Sequence, residues 1–291
     1  MTKGVIVPLE TARLVEYAVP IACYICEGQN NFDAEYCRYC SAPMALAHQA
    51  DRAKVPPTMV AAMGVSGVGK TVYLGMLMDM LSRASRDTRL LARGAFSINL
   101  QQATVGALAR CGFPGKTPNE PDHWNWVHCQ IRNAALRNPL DLIMPDMAGE
   151  ALLEEMDHPH SFRVISAFLQ KCSGSLILVH AVKLIEGGQD QEFFTMKLTS
   201  YLGELGGRRG NDWSKRPVAV VFTKADRNEE CSEDPEAFAK AHATGLWEQC
   251  RERFRIHKFF AAGVAGACAW RDTFDERSEE HTSELQSRGL I

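Results

Sequence analysis

The sequence predicts an α/β fold: a mostly parallel sheet with helices on both faces, preceded by a small cysteine-bound module. Three observations carry this expectation. From Thr58 onward, short continuous apolar runs alternate with amphipathic stretches, as strands buried on both faces require. A glycine-rich turn, GVSGVGKT, stands between one such run and the amphipathic stretch that follows it. Four of the ten cysteines fall into two CxxC pairs near the start of the chain.

The cysteine module comes first in the chain. CYICEGQNNFDAEYCRYC holds Cys23 and Cys26 as one pair and Cys37 and Cys40 as the other. Two residues between thiols let a tight turn aim both sulfurs at one ion, and two such knuckles complete a tetrahedral thiolate site, for which zinc is the expected metal. A redox CxxC would account for only one pair. The ten-residue spacer suits a zinc ribbon with one short hairpin. So small a module cannot bury enough apolar surface to fold unaided, so metal binding and folding should be one event. Arg38 is the only Lys or Arg between Cys23 and Cys40, which favours a protein-facing adaptor over nucleic-acid binding. Residues 1–45 are assigned to this module and 46–57 to a linker whose paired prolines hold extended backbone.

At 291 residues, one large domain beside a small appendage is the natural division, and 58–276 is taken as that domain. The net charge of −3 gives nucleic-acid binding no bulk electrostatic support. No window approaches the roughly 18 uninterrupted apolar residues of a membrane helix. The first twenty residues lack a secretory cleavage pattern, so a cytoplasmic protein is expected. The six cysteines outside the knuckles, Cys111, Cys129, Cys172, Cys231, Cys250 and Cys268, show no ligand spacing and read as ordinary small side chains. At the far end, RSEEHTSELQS (Arg277 to Ser287) resembles a sequencing-library adapter translated as protein. Residues 277–291 are therefore set apart as non-native, and the fold is expected to lack its closing helix.

Within the large domain, Thr58–Gly64 reads as a buried strand and Lys70–Ser85 as a helix. Further strands are expected near His123–Ile131, Leu140–Asp146, Gly174–Val182, Pro217–Asp226 and Lys258–Val264. Helices are expected over Gly149–Gln170, Gln191–Leu205 and Pro235–Phe254, with His158 and His160 in a turn. Trp124 and Trp126 fit the alternation of an edge strand.

The chemistry sits where ligands gather in such sheets, at the carboxyl ends of the strands. In GVSGVGKT, glycines Gly64, Gly67 and Gly69 let backbone N–H groups converge on phosphates, and the following helix adds its dipole. Lys70 reaches the outer phosphates and the Thr71 hydroxyl takes a magnesium ligand position. Ser66 and Val72 complete the loop residues assigned to the nucleotide. After the strand ending in Pro145 comes Asp146–Gly149, a DxxG: the carboxylate can hold magnesium through water and the Gly149 N–H can meet a γ-phosphate. After the strand ending in Phe222 comes Thr223–Asp226, a TKxD. The Asp226 carboxylate offers two acceptors to the paired donors of guanine, which adenine lacks, and the Lys224 stem packs along the base.

Together these three motifs resemble the guanine-nucleotide-binding set of translation-factor-related GTPases. With the cysteine knuckles and proline linker ahead of GVSGVGKTVYLGMLMDML, the chain is similar, more narrowly, to bacterial zinc-ribbon proteins of the double-GTPase group, which implies a role in signalling or conflict systems. The resemblance implies that Thr117 is the switch threonine completing the magnesium shell. It also implies that Ala261, Ala262 and Gly263 form the loop whose backbone meets the guanine O6, although the usual serine is lacking. Glu150 occupies the place of a water-orienting glutamine. His180, where relatives carry aspartate, reads as a buried histidine satisfied by neighbouring backbone. The function implied is a GTP-binding and GTP-hydrolysing switch using GTP or GDP, Mg2+ and Zn2+. Lys70, Thr117, Gly149 and Glu150 would be its catalytic groups, and a protein partner or second GTPase would supply any arginine finger. Two alternatives stay open: an ATPase acting on nucleic acid, and a nucleotide-binding scaffold without turnover.

Overall fold

A computed structural model describes residues 19–53, 57–83, 88–133, 135–136, 138–207 and 212–264. The tail set apart at 277–291, Cys268 and the closing segment before the tail lie outside these residues. The cysteine module is built on a two-stranded antiparallel hairpin, β1 (Ile21–Ala22) and β2 (Gln29–Asn30), in which Ile21 opposes Asn30. Helix α1 (Met44–Ala53) follows, occupying much of the segment read as linker.

Among the described residues seven strands form the main sheet: β3 (Thr58–Met63), β4 (Thr88–Ala92), β5 (Trp126–Asn133), β6 (Leu140–Pro145), β7 (Gly174–His180), β8 (Val218–Thr223) and β9 (His257–Ala262). Their order across the sheet is β4-β5-β6-β3-β7-β8-β9. β5 runs antiparallel to both its neighbours, β4 and β6, and every pairing from β6 to β9 is parallel. The expectation of an α/β fold with a mostly parallel sheet is met. Inner strands such as Gly174–His180 are apolar on both sides because both faces are covered.

One face carries α2 (Lys70–Arg83) and α3 (Ala95–Ala109), whose Leu74, Met78 and Leu100 close over Leu90, Cys129, Leu142 and Leu178. The other face carries α1, α4 (Gly149–Asp157), α5 (Arg163–Lys171), α6 (Ala181–Ile185), α7 (Gln189–Gly207), α8 (Glu229–Glu233), α9 (Pro235–His242) and α10 (Thr244–Arg253). On that face the cysteine module joins the core: Cys23 and Ile25 belong to the same buried cluster as Met59, Trp126 and Phe168. Tyr24 donates to Pro57 O at 2.7 Å, and Lys171 Nζ donates to Tyr24 O at 3.2 Å and meets Glu27 at 2.7 Å.

Four differences from the sequence reading have physical causes. β4 and α3 carry no apolar period that would mark them, because the buried stripe of α3 includes Ser97 and Thr104. Ser97 is buried by hydrogen bonding: its Oγ donates to His128 O at 2.8 Å and accepts from His128 N at 2.7 Å. The helix expected over 149–170 is two helices, broken at the expected His158–His160 turn. There Pro159 has no N–H, and the buried Glu155 carboxylate accepts from His160 N and Phe162 N at 3.0 and 2.7 Å. The helix expected over 235–254 also divides, at Ala243, where Glu192 of α7 accepts from Gly245 N at 2.7 Å and so caps the second piece. Finally, β5 is not an edge strand. Trp124 and Trp126 are buried, Trp126 edge-on to Phe168 at 5.8 Å between centroids.

Candidate functional site

The ends of β3, β6, β8 and β9 bring the sequence-predicted residues to one side of the sheet. Gly64 leaves β3, and the loop reaches Lys70, the first residue of α2. Gly67 and Gly69 take φ of 72° and 91°, with no heavy atom of the described residues within 4 Å of a would-be side chain. The loop thus needs a left-handed backbone there, which glycine adopts freely. Lys70 is buried, its Nζ donating at 2.9 Å to both Gly64 O and Val65 O. Burial pushes its pKa down to about 8, against the opposing pull of the Asp146 and Glu150 charges, and the Lys116 ammonium lowers it further.

Next to Lys70, three oxygens converge. Thr71 Oγ1 donates to Asp146 Oδ2 at 2.9 Å, Thr117 Oγ1 donates to the same oxygen at 3.0 Å, and the two hydroxyls lie 3.1 Å apart. Adjacent ligand oxygens of a magnesium ion held at about 2.1 Å lie about 3 Å apart in octahedral geometry. The set therefore suits that ion in both spacing and hardness. Asp146 is fully buried, pinned by a backbone bridge to Ala62 and by its N–H to Asn125 O at 2.7 Å. Among the described residues its Oδ1 has no hydrogen-bond partner. Burial raises its pKa, opposed by Lys70 and the two threonines. An orphaned carboxylate oxygen beside two hydroxyls is an environment that a cation would satisfy.

Gly149 opens α4 hard against the phosphate loop: a Cβ there would lie 2.4 Å from Ser66 N. Glu150 follows, 42% exposed, and its Oε1 meets Lys116 Nζ at 2.5 Å. Lys116 escaped the sequence reading. Its only signal was its place directly before Thr117.

The TKxD segment stands across the loop. Thr223 Oγ1 donates to Val68 O at 2.8 Å, tying the end of β8 to the phosphate loop. Lys224 takes φ of 56° and begins a short 3-10 turn, leaving Asp226 exposed. Ala262 pairs with Thr223, and a Cβ on Gly263 would lie 2.8 Å from Asp226 Oδ1, so the base-reading candidates are neighbours. Val72 is half-buried in the first turn of α2. His180 matches the reading of a buried histidine: its Nδ1 accepts from Lys183 N at 3.3 Å, capping α6. Burial, with Lys224 and Lys183 nearby, lowers its pKa to about 4, so it is neutral at pH 7.

The second cluster is the cysteine module. Cys23 and Cys40 Sγ are 3.7 Å apart, Cys26 and Cys37 Sγ 3.5 Å, and all four sulfurs lie within 4.8 Å of one another. Thiolates at about 2.3 Å from a tetrahedral zinc lie about 3.8 Å apart, so the donor set fits Zn2+. The knuckles repeat each other. Cys23 N donates to Gly28 O and Cys37 N to Ala42 O. Glu27 N and Ser41 N donate back to Cys23 O and Cys37 O. Glu27 and Ser41 both adopt positive φ. Asn30 Nδ2 and Tyr39 N each approach Cys37 Sγ at 3.4 Å, the kind of donors that support a thiolate.

The fold is P-loop GTPase-like, a mostly parallel sheet between helices with the glycine-rich loop leaving the end of β3. A family model described as Double-GTPase 1 matches residues 61–204 and supports that class. The matched segment holds the phosphate loop, Thr117 and the DxxG, and ends before Thr223. Among solved structures the chain is similar to an ADP-ribosylation-factor-like GTP-binding protein, the small COPII coat GTPase SAR1 of Encephalitozoon cuniculi in complex with GDP. The identity is 14%, over 71% of this chain and 69% of that chain, with a TM-score of 0.34. No curated protein matches the sequence. Among the described residues, no helix is long and apolar enough to cross a membrane.

Proposed function

We propose that the protein is a GTP-binding and GTP-hydrolysing switch whose docked zinc ribbon presents its nucleotide state to a protein partner, in bacterial signalling or conflict. The observation that carries this reading is the triangle of Thr71, Thr117 and Asp146 oxygens beside Lys70. In this reading Lys70 and the loop amides hold the β- and γ-phosphates and the Gly149 N–H meets the γ-phosphate. Thr71, Thr117 and Asp146 would hold Mg2+, which supplies charge neutralisation. Phosphoryl transfer then depends on positioning and electrostatics. Asp226 reads guanine, with Thr223, Lys224 and Ala262 shaping the base pocket.

Two features support coupling to the ribbon. Trp124 Nε1 donates to Pro118 O at 2.8 Å, next to Thr117, and its ring stacks with Phe162 at 6.5 Å at the entry to α5. Lys171, at the end of α5, holds the cysteine module through Glu27 and Tyr24 O. Loss of the γ-phosphate would release Thr117 and Gly149, a change this path would carry to the ribbon. The domain division proposed with it is ribbon 1–45, connecting segment 46–57 and GTPase domain 58–276. Glu150, which lacks an amide donor, also favours a second reading as a scaffold without turnover.

Asp226→Asn tests the base assignment. It should shift preference from guanine to xanthine nucleotides, measured by competition against a fluorescent GDP analogue. Unchanged GTP affinity would remove Asp226 from the site, and equal displacement by ATP in the unsubstituted protein would favour an ATPase.

A further inference from the structure

Building on the GTPase reading, we infer that Lys116 is a catalytic residue, the cation that neutralises charge on the transferring phosphoryl group, and that Glu150 is its positioning residue. Lys116 directly precedes Thr117, whose hydroxyl lies 3.1 Å from Thr71 Oγ1 and 3.0 Å from Asp146 Oδ2, so its backbone is fixed at the edge of the magnesium triangle. Its Nζ meets Glu150 Oε1 at 2.5 Å. Glu150 in turn follows Gly149, which abuts Ser66 N. The ammonium therefore sits where the Thr117 loop, the start of α4 and the phosphate loop meet, close enough for its charge to act on Lys70.

The pairing also resolves the presence of an acid at position 150. A bare carboxylate next to the DxxG glycine would repel a γ-phosphate. Paired with Lys116 it is neutralised. The side chains are 38% and 42% exposed, and an ion pair so exposed is weak, so Lys116 can lean onto a phosphoryl oxygen at small cost while its charge still offsets that of Glu150 beside it. In the reaction, a water oxygen bonds to the γ-phosphorus as the bond to the β–γ bridging oxygen breaks. The electron pair leaves with GDP and the water's protons pass to phosphate and solvent. Negative charge spread over the departing oxygens is what a positioned cation stabilises, and removing one such stabilising group costs about 100-fold or more in rate.

The test compares the full chain with Lys116→Ala and Lys116→Arg in magnesium buffer, using a fluorescent GDP analogue with and without aluminium fluoride, and single-turnover GTP hydrolysis. GDP with aluminium fluoride imitates the transition state and binds tightly only where stabilising charge is in place. The unsubstituted protein should bind GDP at least about tenfold tighter with aluminium fluoride. Lys116→Ala should lose that tightening and about 100-fold in hydrolysis, and Lys116→Arg should retain most of both. The inference is overturned if the unsubstituted protein gains nothing from aluminium fluoride, or if Lys116→Ala keeps its tightening and rate. Failure of the unsubstituted protein to bind GDP at all would instead sink the GTPase reading on which the inference rests.

Discussion

Replacing Gly149 with alanine probes the contact between α4 and the phosphate loop. A Cβ at this position would lie 2.4 Å from Ser66 N, 2.5 Å from Val65 C and 2.8 Å from Gly64 O. All three are backbone atoms, so no rotamer change relieves them, and loop and helix must part by about 1 Å. Overpacking of this kind costs about 1–3 kcal/mol, partly offset by the roughly 0.5–1 kcal/mol that alanine gains over glycine in a helix. The net loss, up to about 2.5 kcal/mol, lowers the melting temperature by up to roughly 10 °C for a domain of this size. Because the Gly149 amide is the proposed γ-phosphate contact, GTP affinity should fall more than GDP affinity. Gly106→Ala in α3 is the matched control. Among the described residues its Cβ would meet only Arg110 Nη1, at 3.6 Å, so it should stabilise by about 0.5–1 kcal/mol. Urea unfolding and nucleotide titration of both variants decide the matter. Equal stability effects and an unchanged GTP to GDP affinity ratio would refute the close-contact argument.

Three further outcomes are expected. Elemental analysis should find one zinc per chain, and a strong chelator or Cys37→Ser should lower the melting temperature, because the module shares its buried cluster with the main sheet; metal-free protein melting normally would contradict this. Lys70, held near a pKa of about 8 by burial, must be protonated to hold phosphates, so GDP affinity should be level below pH 7.5 and weaken above pH 8 by up to about tenfold per unit. Affinity flat to pH 9.5 would argue against that role. His180 has a folded pKa of about 4, below its ordinary 6.5, so the unfolded chain binds more protons between these values. Stability should therefore rise with pH from 4 to 6.5 and level off above it, and His180→Asn should flatten that slope as seen by urea unfolding.

Much of this architecture is legible from residues alone, because the strongest signals are local. The GVSGVGKT spacing fixes a strand, a loop and a helix in one stroke, and Leu142–Pro145 and Val218–Phe222 are short apolar runs of strand length. The two CxxC pairs specify a four-sulfur cluster without reference to anything else. What was hidden depends on contacts between distant segments. α3 buries Ser97 because a strand far along the chain offers it a carbonyl and an amide. The break at Ala243 is set by Glu192, more than fifty residues earlier. The Lys116–Glu150 pair spans the Thr117 loop and α4, so no local pattern announces it, and an exposed lysine in a polar loop looks like any other.

The most direct test of the central claim is calorimetric titration of the zinc-loaded protein with GDP, GTP and ATP, with and without Mg2+. Phosphates held by the loop and Lys70, a magnesium ion held by Thr71, Thr117 and Asp146, and guanine read by Asp226 predict saturable heat at one site per chain for GDP and GTP. The same arrangement predicts tighter GTP binding with Mg2+ and negligible heat for ATP. No heat with either guanine nucleotide, or equal binding of ATP, would contradict the account.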